Sequence, residues 1–436
     1  MTSARRAPRG IRAIADTAVA CLVSAVVALG ALATDAPAQT PAQAPAAQGG
    51  IRVSVLTLGQ GNEVFERFGH NALRVVDPEA GTDVAYNWGM FSFDQPGFIR
   101  RFLSGDTQYW VEAIPTPWLL DYYASGDRHT QEQVLALTPA QAARVAALAA
   151  DNARPENRFY RYDYFRDNCS TRVRDMLDTV LEGALRRRFD AIRTPWTYRS
   201  EAVRLTEPSA LAQAGIDIAL GPRADVPMTK WEAMFIPMRL RDDLREVTVP
   251  GADGVPVPLV SEERVIYQAR RAPEAPERRG LALGPWGPIL AVWMLLLTPW
   301  NALTRRRTRI PATVMTVAWY GLTGLVGLAV AGMWLGSAHV FWYDNLNLLL
   351  LSPLGLVAAV PVARAVLRGA PTRLSRVLFL AVVGQVALLL LLAPFVRQTL
   401  GGPILLLAPA HLGLALAIWR HTLPVPGAPA PKETSR

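Results

Sequence analysis

Residues 70–89 read HNALRVVDPEAGTDVAYNWG, and this stretch decides the fold of the first half of the chain. HNALRVVD and DVAYNWG are extended runs, and PEAGT between them carries the Pro and Gly of a turn. The stretch therefore predicts a β-hairpin. Upstream, RVSVLTL at residues 52–58 alternates in the manner of a further strand, until Gly59 and Gly61 interrupt it.

Downstream of the hairpin the pattern becomes helical. In LTPAQAARVAALAADN, Thr138 is a capping residue and Pro139 occupies the first helical position, which predicts a helix to about Asp151. A tyrosine-rich extended segment, NRFYRYDYF, follows. RDNCSTRVRDMLDTVLEGAL, at residues 166–185, then places apolar residues on one face of a second helix, which Asp167 or Asn168 would cap. Strands followed by helices predict an α+β domain.

Cys169 falls in the first turn of this second helix. The helix dipole and the main-chain N–H groups would favour its thiolate and lower its pKa. Three flanking arginines act in the same direction: Arg166, Arg172 and Arg174. A lone cysteine is also commonly a small apolar core residue. The polar neighbours Asn168 and Ser170 favour a nucleophile, and we expect them to support an oxyanion site together with the main-chain N–H groups.

A thiolate nucleophile needs an imidazole to move its proton, and residues 51–268 contain only His70 and His129. His70 follows Gly69 at the entrance to a predicted strand, whereas His129 lies in a predicted solvated loop. Asn87, on the next strand of the hairpin, is placed to bond the far nitrogen of His70 and fix its tautomer. An equal alternative is that YNWG is only a strand end whose Trp88 packs on the core.

Other chemistries have weaker signals. The chain has no HExxH motif and no paired-cysteine ligand set, so the sequence predicts no metal centre. The GQG at residues 59–61 is too short a signal for a phosphate-binding loop. A Cys–His dyad needs no cofactor, and none is predicted.

The composition excludes an extended disordered chain, because 51% of the 436 residues are hydrophobic and only 19% are charged. A net charge of +9 suggests a nucleic-acid partner. Residues 51–267, however, hold 25 basic and 30 acidic residues, so the positive excess lies outside this region. No nucleic-acid partner is therefore predicted.

The chain divides by composition. Residues 1–38 carry arginines, an apolar run and small residues, the pattern of a signal peptide or, if uncleaved, a signal anchor. The remaining predicted parts are an Ala/Pro/Gln linker at 39–50, an extracytoplasmic domain at 51–268, a second linker at 269–280, transmembrane helices at 281–420 and a cytoplasmic tail at 421–436.

About five transmembrane helices are predicted, because five apolar stretches are each long enough to cross a hydrocarbon core of roughly 30 Å. These stretches are 281–300, 312–336, 346–362, 377–395 and 403–419. Eleven basic residues lie in the loops and tail of one side, and only Arg397 lies in the loops of the other. The positive-inside rule places the arginine loops in the cytoplasm and the 51–268 domain on the opposite side of the membrane.

A second candidate site lies in SAHVFWYDNLN, on the same side of the membrane as the domain. Asp344 is the only acidic residue from 281 to 419, and Asn345 and Asn347 lie close to it in sequence. The segment is either an interfacial aromatic belt with polar caps or the floor of an active site. His411, inside the last apolar stretch, is interpreted as a neutral packing residue.

Four motifs, in order, carry a family resemblance: LTLGQGNEVFERFGHNALRV, VAYNWGMFSF, YRYDYFRDNCSTRVRDML and WEAMFIPMRL. Together they resemble the Lnb N-terminal periplasmic domain family over roughly residues 51–246. The resemblance implies a papain-like fold, related by permutation to the NlpC/P60 and lecithin:retinol acyltransferase group. It also implies that His70 is the base and Cys169 the nucleophile.

The resemblance further implies lipoprotein transacylation. The leading hypothesis is a membrane-tethered, thiol-dependent acyltransferase that takes acyl groups from a phospholipid or lipoprotein ester through a thioester. One alternative is an NlpC/P60-like cell-wall peptidase or amidase with the same dyad. The other is a non-catalytic membrane sensor or scaffold.

Overall fold

The computed structural model describes residues 50–250, 254–273, 281–296 and 306–422. The predicted leader at 1–38 lies outside the described residues, and so does the first linker except for Gly50. Part of the second linker and most of the predicted tail also lie outside them.

An antiparallel sheet of seven strands organises the N-terminal half. Its strands are Arg52–Leu58 (β1), His70–Asp77 (β2), Thr82–Met90 (β3), Gln108–Pro115 (β4), Thr130–Leu135 (β5), Phe159–Arg161 (β6) and Val260–Tyr267 (β11). They lie in the order β11-β5-β1-β2-β3-β4-β6. Two small ribbons pair Arg193–Thr197 (β7) with Pro227–Thr229 (β8), and Thr248–Pro250 (β9) with Pro256–Pro258 (β10).

The predicted hairpin is β2 and β3, and RVSVLTL forms β1 beside β2. Asp77 closes the turn, because its side chain accepts the N–H groups of Glu79 and Ala80 at 3.0 Å each. Of the tyrosine-rich segment, only residues 159–161 pair as a strand, so most of its predicted extension is loop.

Nine helices of the described residues accompany the sheet. They are Phe98–Ser104, Thr116–Ser125, Pro139–Asn152, Cys169–Val180, Ala184–Phe189, Tyr198–Leu205, Ala210–Ala219, Lys230–Ala233 and Pro237–Leu244. Short 3-10 turns occur at Val64–Glu66, Pro222–Asp225, Val340–Trp342, Leu346–Leu349 and Ala393–Phe395. The Thr138 cap is present as predicted, because its hydroxyl accepts the Gln141 N–H at 3.3 Å.

The Cys169–Val180 helix, called the cysteine helix below, packs across the sheet against β2 and β3. Its apolar face is fully buried and joins one core with residues of the sheet. That core includes Val173, Leu177 and Val180 of the helix and Val55, Leu73 and Trp88 of the sheet. The predicted mixed sheet-and-helix class of this half is therefore confirmed.

The C-terminal region is helical. Its helices are Trp286–Leu296, Arg306–Gly336, Leu354–Arg368, Arg373–Leu392 and Gly401–Thr422. Among the residues that the structure describes, four segments are long and apolar enough to cross a membrane: Ile310–Gly336, Leu346–Arg368, Arg373–Phe395 and Gly401–Trp419. Of the first stretch predicted to span, the described helix has 11 residues, and residues 297–300 lie outside the described chain.

The sheet domain and the helical region belong to one compact unit and meet at a hydrogen-bonded junction. The Gly221 N–H donates to the Phe341 carbonyl at 2.7 Å, and the Ala338 N–H donates to the Ser104 carbonyl at 2.9 Å. Next to this junction Arg199 is completely buried and forms ion pairs with Asp217 and Asp225 at 3.0 Å each. Its guanidinium also donates to the Leu220 and Gly221 carbonyls.

Candidate active site

The start of the cysteine helix is held by the side chain of Asn168. Its Oδ1 accepts the N–H groups of Ser170 and Thr171 at 2.9 Å each, which caps the helix. Its Nδ2 donates both hydrogens, to the carbonyls of Tyr164 and Phe235, at 2.9 Å each. Because both amide hydrogens are committed, the Asn168 side chain fixes the helix terminus and has no hydrogen left for an oxyanion.

Ser170 has a similar positioning contact. Its hydroxyl is fully buried and donates to the Met234 carbonyl at 2.6 Å. The motif WEAMFIPMRL thus supplies two consecutive carbonyls, at Met234 and Phe235, that hold the cysteine helix in place. The sequence indicated only that this motif docks somewhere, because its partners lie more than sixty residues away along the chain.

His70 begins β2, directly after Gly69, which has a φ of +74°. Its Nε2 is hydrogen-bonded to the Asn87 Oδ1, and its ring stacks on Tyr123 with 6.1 Å between ring centroids. An amide oxygen only accepts, so Nε2 carries the proton and Nδ1 holds the free lone pair. Trp88 beside Asn87 is also in the core, so YNWG has both of the roles considered from the sequence.

Gly89 is the point around which the candidate residues converge. The register of β3 against β4 shifts between Trp88 and Met90, which makes a bulge at Gly89, where φ is +90°. A Cβ placed on Gly89 would lie 3.6 Å from the Cys169 Cβ, 3.9 Å from the His70 Cε1 and 3.8 Å from the Tyr162 Cε2. The cysteine, the histidine and a tyrosine ring therefore surround one stretch of main chain.

The expected low pKa of Cys169 is wrong. Burial raises the pKa of the thiol to about 11, although hydrogen bonds from the main-chain N–H groups of Asn71, Ser170 and Cys169 itself oppose the rise. The three arginines invoked from the sequence have other partners. Arg166 lies over the Phe341 ring, Arg172 pairs with Asp167, and Arg174 pairs with Asp175 and lies over Trp231.

Burial acts on His70 in the complementary direction. It lowers the pKa of the imidazole to about 4, while the hydrogen bond with Asn87 opposes the change. The positive charge of Arg128 lowers this pKa further. At neutral pH the site therefore holds a neutral thiol beside a neutral imidazole.

Two residues near the site were missed by sequence reasoning. Arg128 is buried, lies 4.4 Å from the Tyr123 ring centroid and pairs with Glu66 at 3.1 Å. Tyr160 has a buried hydroxyl beside the Gly89 N–H, and among the described residues its proton has no acceptor. Burial and the neighbouring Cys169 raise the pKa of this phenol well above its usual value. The tyrosine-rich composition pointed to this segment without singling out one ring.

Asp344, Asn345 and Asn347 lie at the junction. Asn345 Nδ2 donates to the carbonyls of Ile218 and Ala219, and Asn347 Nδ2 donates to Ile218. Asp344 pairs with exposed Arg223 at 3.4 Å. In the part of the chain that the structure describes, the contacts of these side chains join the domain to the helices. They therefore act as docking contacts, and a role as the floor of an active site stays a prediction.

Two further observations concern His129 and the grouping of possible metal ligands. His129 is half-buried next to Gly59, so it is less solvated than expected. Within the described ranges, no group of three or more His, Cys, Asp or Glu side chains is arranged to hold a metal ion.

Comparisons with known families cover both halves of the chain. Residues 43–202 match the model described as the Lnb N-terminal periplasmic domain, and residues 283–421 match the model described as the Lnb transmembrane domain. Comparison with curated proteins and with solved structures gives no match.

Proposed function

We propose that this chain, which belongs to the Lnb family, is a membrane-tethered, thiol-dependent acyltransferase acting on lipid or lipoprotein acyl esters. It is a membrane protein with a periplasmic domain, and we place its reaction at the outer face of the cytoplasmic membrane. The observation that carries the proposal is the convergence of Cys169 and His70 at Gly89.

The neutral pair suits a base-assisted attack. His70 Nδ1 takes the thiol proton as the Cys169 sulfur adds to the ester carbonyl, so no free thiolate has to form beforehand. The tetrahedral adduct expels the alcohol oxygen, which takes the proton from the imidazolium, and a thioester remains. A neutral amine then attacks the thioester, His70 accepts its proton, and the sulfur leaves and is reprotonated by His70.

In this proposal, main-chain N–H groups stabilise the oxyanion of the tetrahedral adduct. The N–H groups of Asn71 and of Cys169 itself lie at the sulfur and stand next to the carbonyl that the sulfur would attack, whereas the Ser170 N–H is committed to Asn168 Oδ1. The unaccepted proton of the Tyr160 hydroxyl is a third donor of suitable chemistry. Asn168 and Ser170 then act as positioning residues that hold the helix start.

The arrangement also supports the finer fold proposal. We propose a permuted papain-like or NlpC/P60-type domain, and its support is a cysteine at the N-terminus of a helix packed on an antiparallel sheet in which an earlier strand starts with histidine. The chain order His70 before Cys169 is the permuted order.

Mass spectrometry of the full-length protein in native membranes tests the function. Wild type should carry a hydroxylamine-labile fatty-acyl mass on Cys169, which Cys169→Ala should lack and which His70→Gln should form slowly. A peptidyl or muropeptide mass would instead identify a cell-wall hydrolase. If Cys169 alkylates at high pH yet no adduct forms, the chain is a binding module.

A further inference from the structure

Four large apolar side chains form an exposed surface near the candidate site. They are Phe65, Phe93, Ile99 and Leu103, each between 47% and 66% exposed, and we call them the Phe93 patch. Ile99 and Leu103 lie one turn apart on the Phe98–Ser104 helix, and the Phe98 ring contacts Phe93 at 5.1 Å. Contiguous exposed apolar side chains of this size are characteristic of a contact surface.

The position of this helix relative to the membrane is set by the chain itself. The carbonyl of Ser104, its last residue, accepts the Ala338 N–H at 2.9 Å, and the Phe102 carbonyl is bonded to His339 Nε2 at 2.8 Å. Ala338 is two residues beyond the end of the candidate span Ile310–Gly336. The patch is therefore attached at the level where a membrane span leaves the bilayer.

The neighbourhood of the patch has the composition of a membrane interface. Trp342 lies against His339 with 4.2 Å between ring centroids, and Tyr343 follows it in the same loop. Trp and Tyr are enriched at this depth of a bilayer. Arg100, next to Ile99, is exposed and offers a positive charge to lipid phosphates.

Aromatic rings connect the patch to the candidate nucleophile. Phe93 contacts Phe91 at 5.1 Å, Phe91 stacks on Tyr109 at 5.0 Å, and Tyr109 stacks on Tyr162 at 4.2 Å between centroids. Tyr162 is one of the three side chains around Gly89, next to Cys169. A continuous series of three aromatic contacts thus connects the Phe93 patch with the candidate site.

We infer that the Phe93 patch inserts into the outer leaflet and that the acyl donor reaches Cys169 from the bilayer, along these rings. The occupant of the patch is the acyl region of membrane phospholipid. The inference rests on the proposed function for the fate of the acyl chain, but not for the membrane contact itself.

Photocrosslinking tests the contact. The full-length protein is placed in nanodiscs of phosphatidylethanolamine and phosphatidylglycerol that contain a phospholipid with a diazirine in its acyl chain. Crosslinks should map to Phe93 and to the Phe98–Ser104 helix, roughly tenfold above those at Val265. Val265 is a matched control because it is 52% exposed on β11. Crosslinks confined to the membrane spans, or a patch crosslinked to a second copy of the chain, would overturn the inference.

A pair of variants tests whether the acyl donor reaches Cys169 by way of the Phe93 patch. Ile99→Glu combined with Leu103→Glu should lower the fatty-acyl adduct on Cys169 roughly tenfold, whereas Val265→Glu should leave it unchanged. Unchanged alkylation of Cys169 by iodoacetamide reports an intact site in both variants. An adduct level equal to wild type in the double variant would contradict the path.

The two proposals fail separately. The crosslinking is repeated with Cys169→Ala, which cannot form the thioester. Crosslinks at the patch without any adduct on wild type would uphold the membrane contact and reject the acyltransferase. An adduct on wild type without crosslinks at the patch would uphold the acyltransferase and reject the membrane contact.

Discussion

At neutral pH Cys169 carries its proton and His70 does not, because desolvation disfavours the charged form of each. The sequence was sufficient to select both residues and Asn87, since they lie in motifs with recognisable local chemistry. It was insufficient for the direction of the Cys169 pKa, which depends on burial among side chains far away along the chain. The three arginines near Cys169 in sequence contact other side chains instead.

This protonation state predicts an unusual pH profile. Acylation of Cys169 should stay level above about pH 5 and fall near pH 4, where His70 gains a proton. Alkylation of Cys169 by iodoacetamide should rise about tenfold per pH unit from pH 7 to 10, because its pKa is about 11. Asn87→Asp should shift the acid limb upward by about one to three units. An alkylation rate that levels off above pH 8 would contradict the neutral pair.

The lowered pKa of His70 also makes the free energy of unfolding depend on pH. In the unfolded chain the His70 imidazole takes up a proton near its usual pKa of 6.5, and in the native state only near 4. The unfolded state therefore binds more protons between these values, and the contribution of His70 to folding stability falls as the pH drops through this window.

Tyr160 gives a test of the oxyanion site. Tyr160→Phe removes a hydroxyl whose proton has no acceptor among the described residues, so the fold should be kept, while acylation of Cys169 should slow on the order of 100-fold. Tyr267→Phe is the matched control, since it lies on β11 at the opposite edge of the sheet from β6. The rate of adduct formation is the measurement, and equal rates in both variants would exclude Tyr160 from the site.

At the scale of elements, the caps, the hairpin and the two helices followed from local patterns. Thr138, Asn168 and the PEAGT turn each act through neighbours within a few residues, which is why the sequence predicted them. The bulge at Gly89 did not follow, because a bulge is defined by the register of β3 against β4. Its position decides where Asn87 and Trp88 point.

Gly89→Ala measures the importance of the bulge. The added Cβ would have only ordinary contacts of 3.6 Å or more, but a φ of +90° is strained for alanine. We expect a loss of about 1–3 kcal/mol in the free energy of unfolding and a slower acylation of Cys169. Gly81→Ala, with a φ of +64° and open space around it, should cost stability without changing acylation. Thermal unfolding and the adduct rate distinguish the two variants.

At the scale of the whole molecule, charge was the most informative sequence property. The uneven distribution of arginine predicted a membrane protein with its N-terminal domain outside the cytoplasm, and it accounts for the net charge of +9. The junction was not predictable, because Asn345 and Asn347 bond carbonyls more than a hundred residues away. A polar loop gives no sequence signal of which distant surface it binds.

Arg199 should be essential to this junction. Arg199→Ala removes the buried guanidinium that pairs with both Asp217 and Asp225, which should cost about 3–5 kcal/mol. Limited proteolysis and thermal unfolding of the full-length protein in detergent measure the loss. Arg193→Ala, which changes an exposed arginine bonded to the Pro227 carbonyl, should stay close to wild type. A stable Arg199→Ala protein would mean that the two carboxylates have other cations.

The positions of Met234 and Phe235 along the chain determine when the start of the cysteine helix can be fixed during synthesis. They hold the start of the cysteine helix, yet they leave the ribosome after the segment at 43–202 that matches the periplasmic family model. The strand that completes the sheet, β11, and the loop at Ala338 emerge later still. During synthesis the nucleophile therefore stays without these two anchors until residues 234 and 235 have emerged. A secreted fragment ending near residue 202 would hold Cys169 but lack both carbonyls that fix the start of its helix.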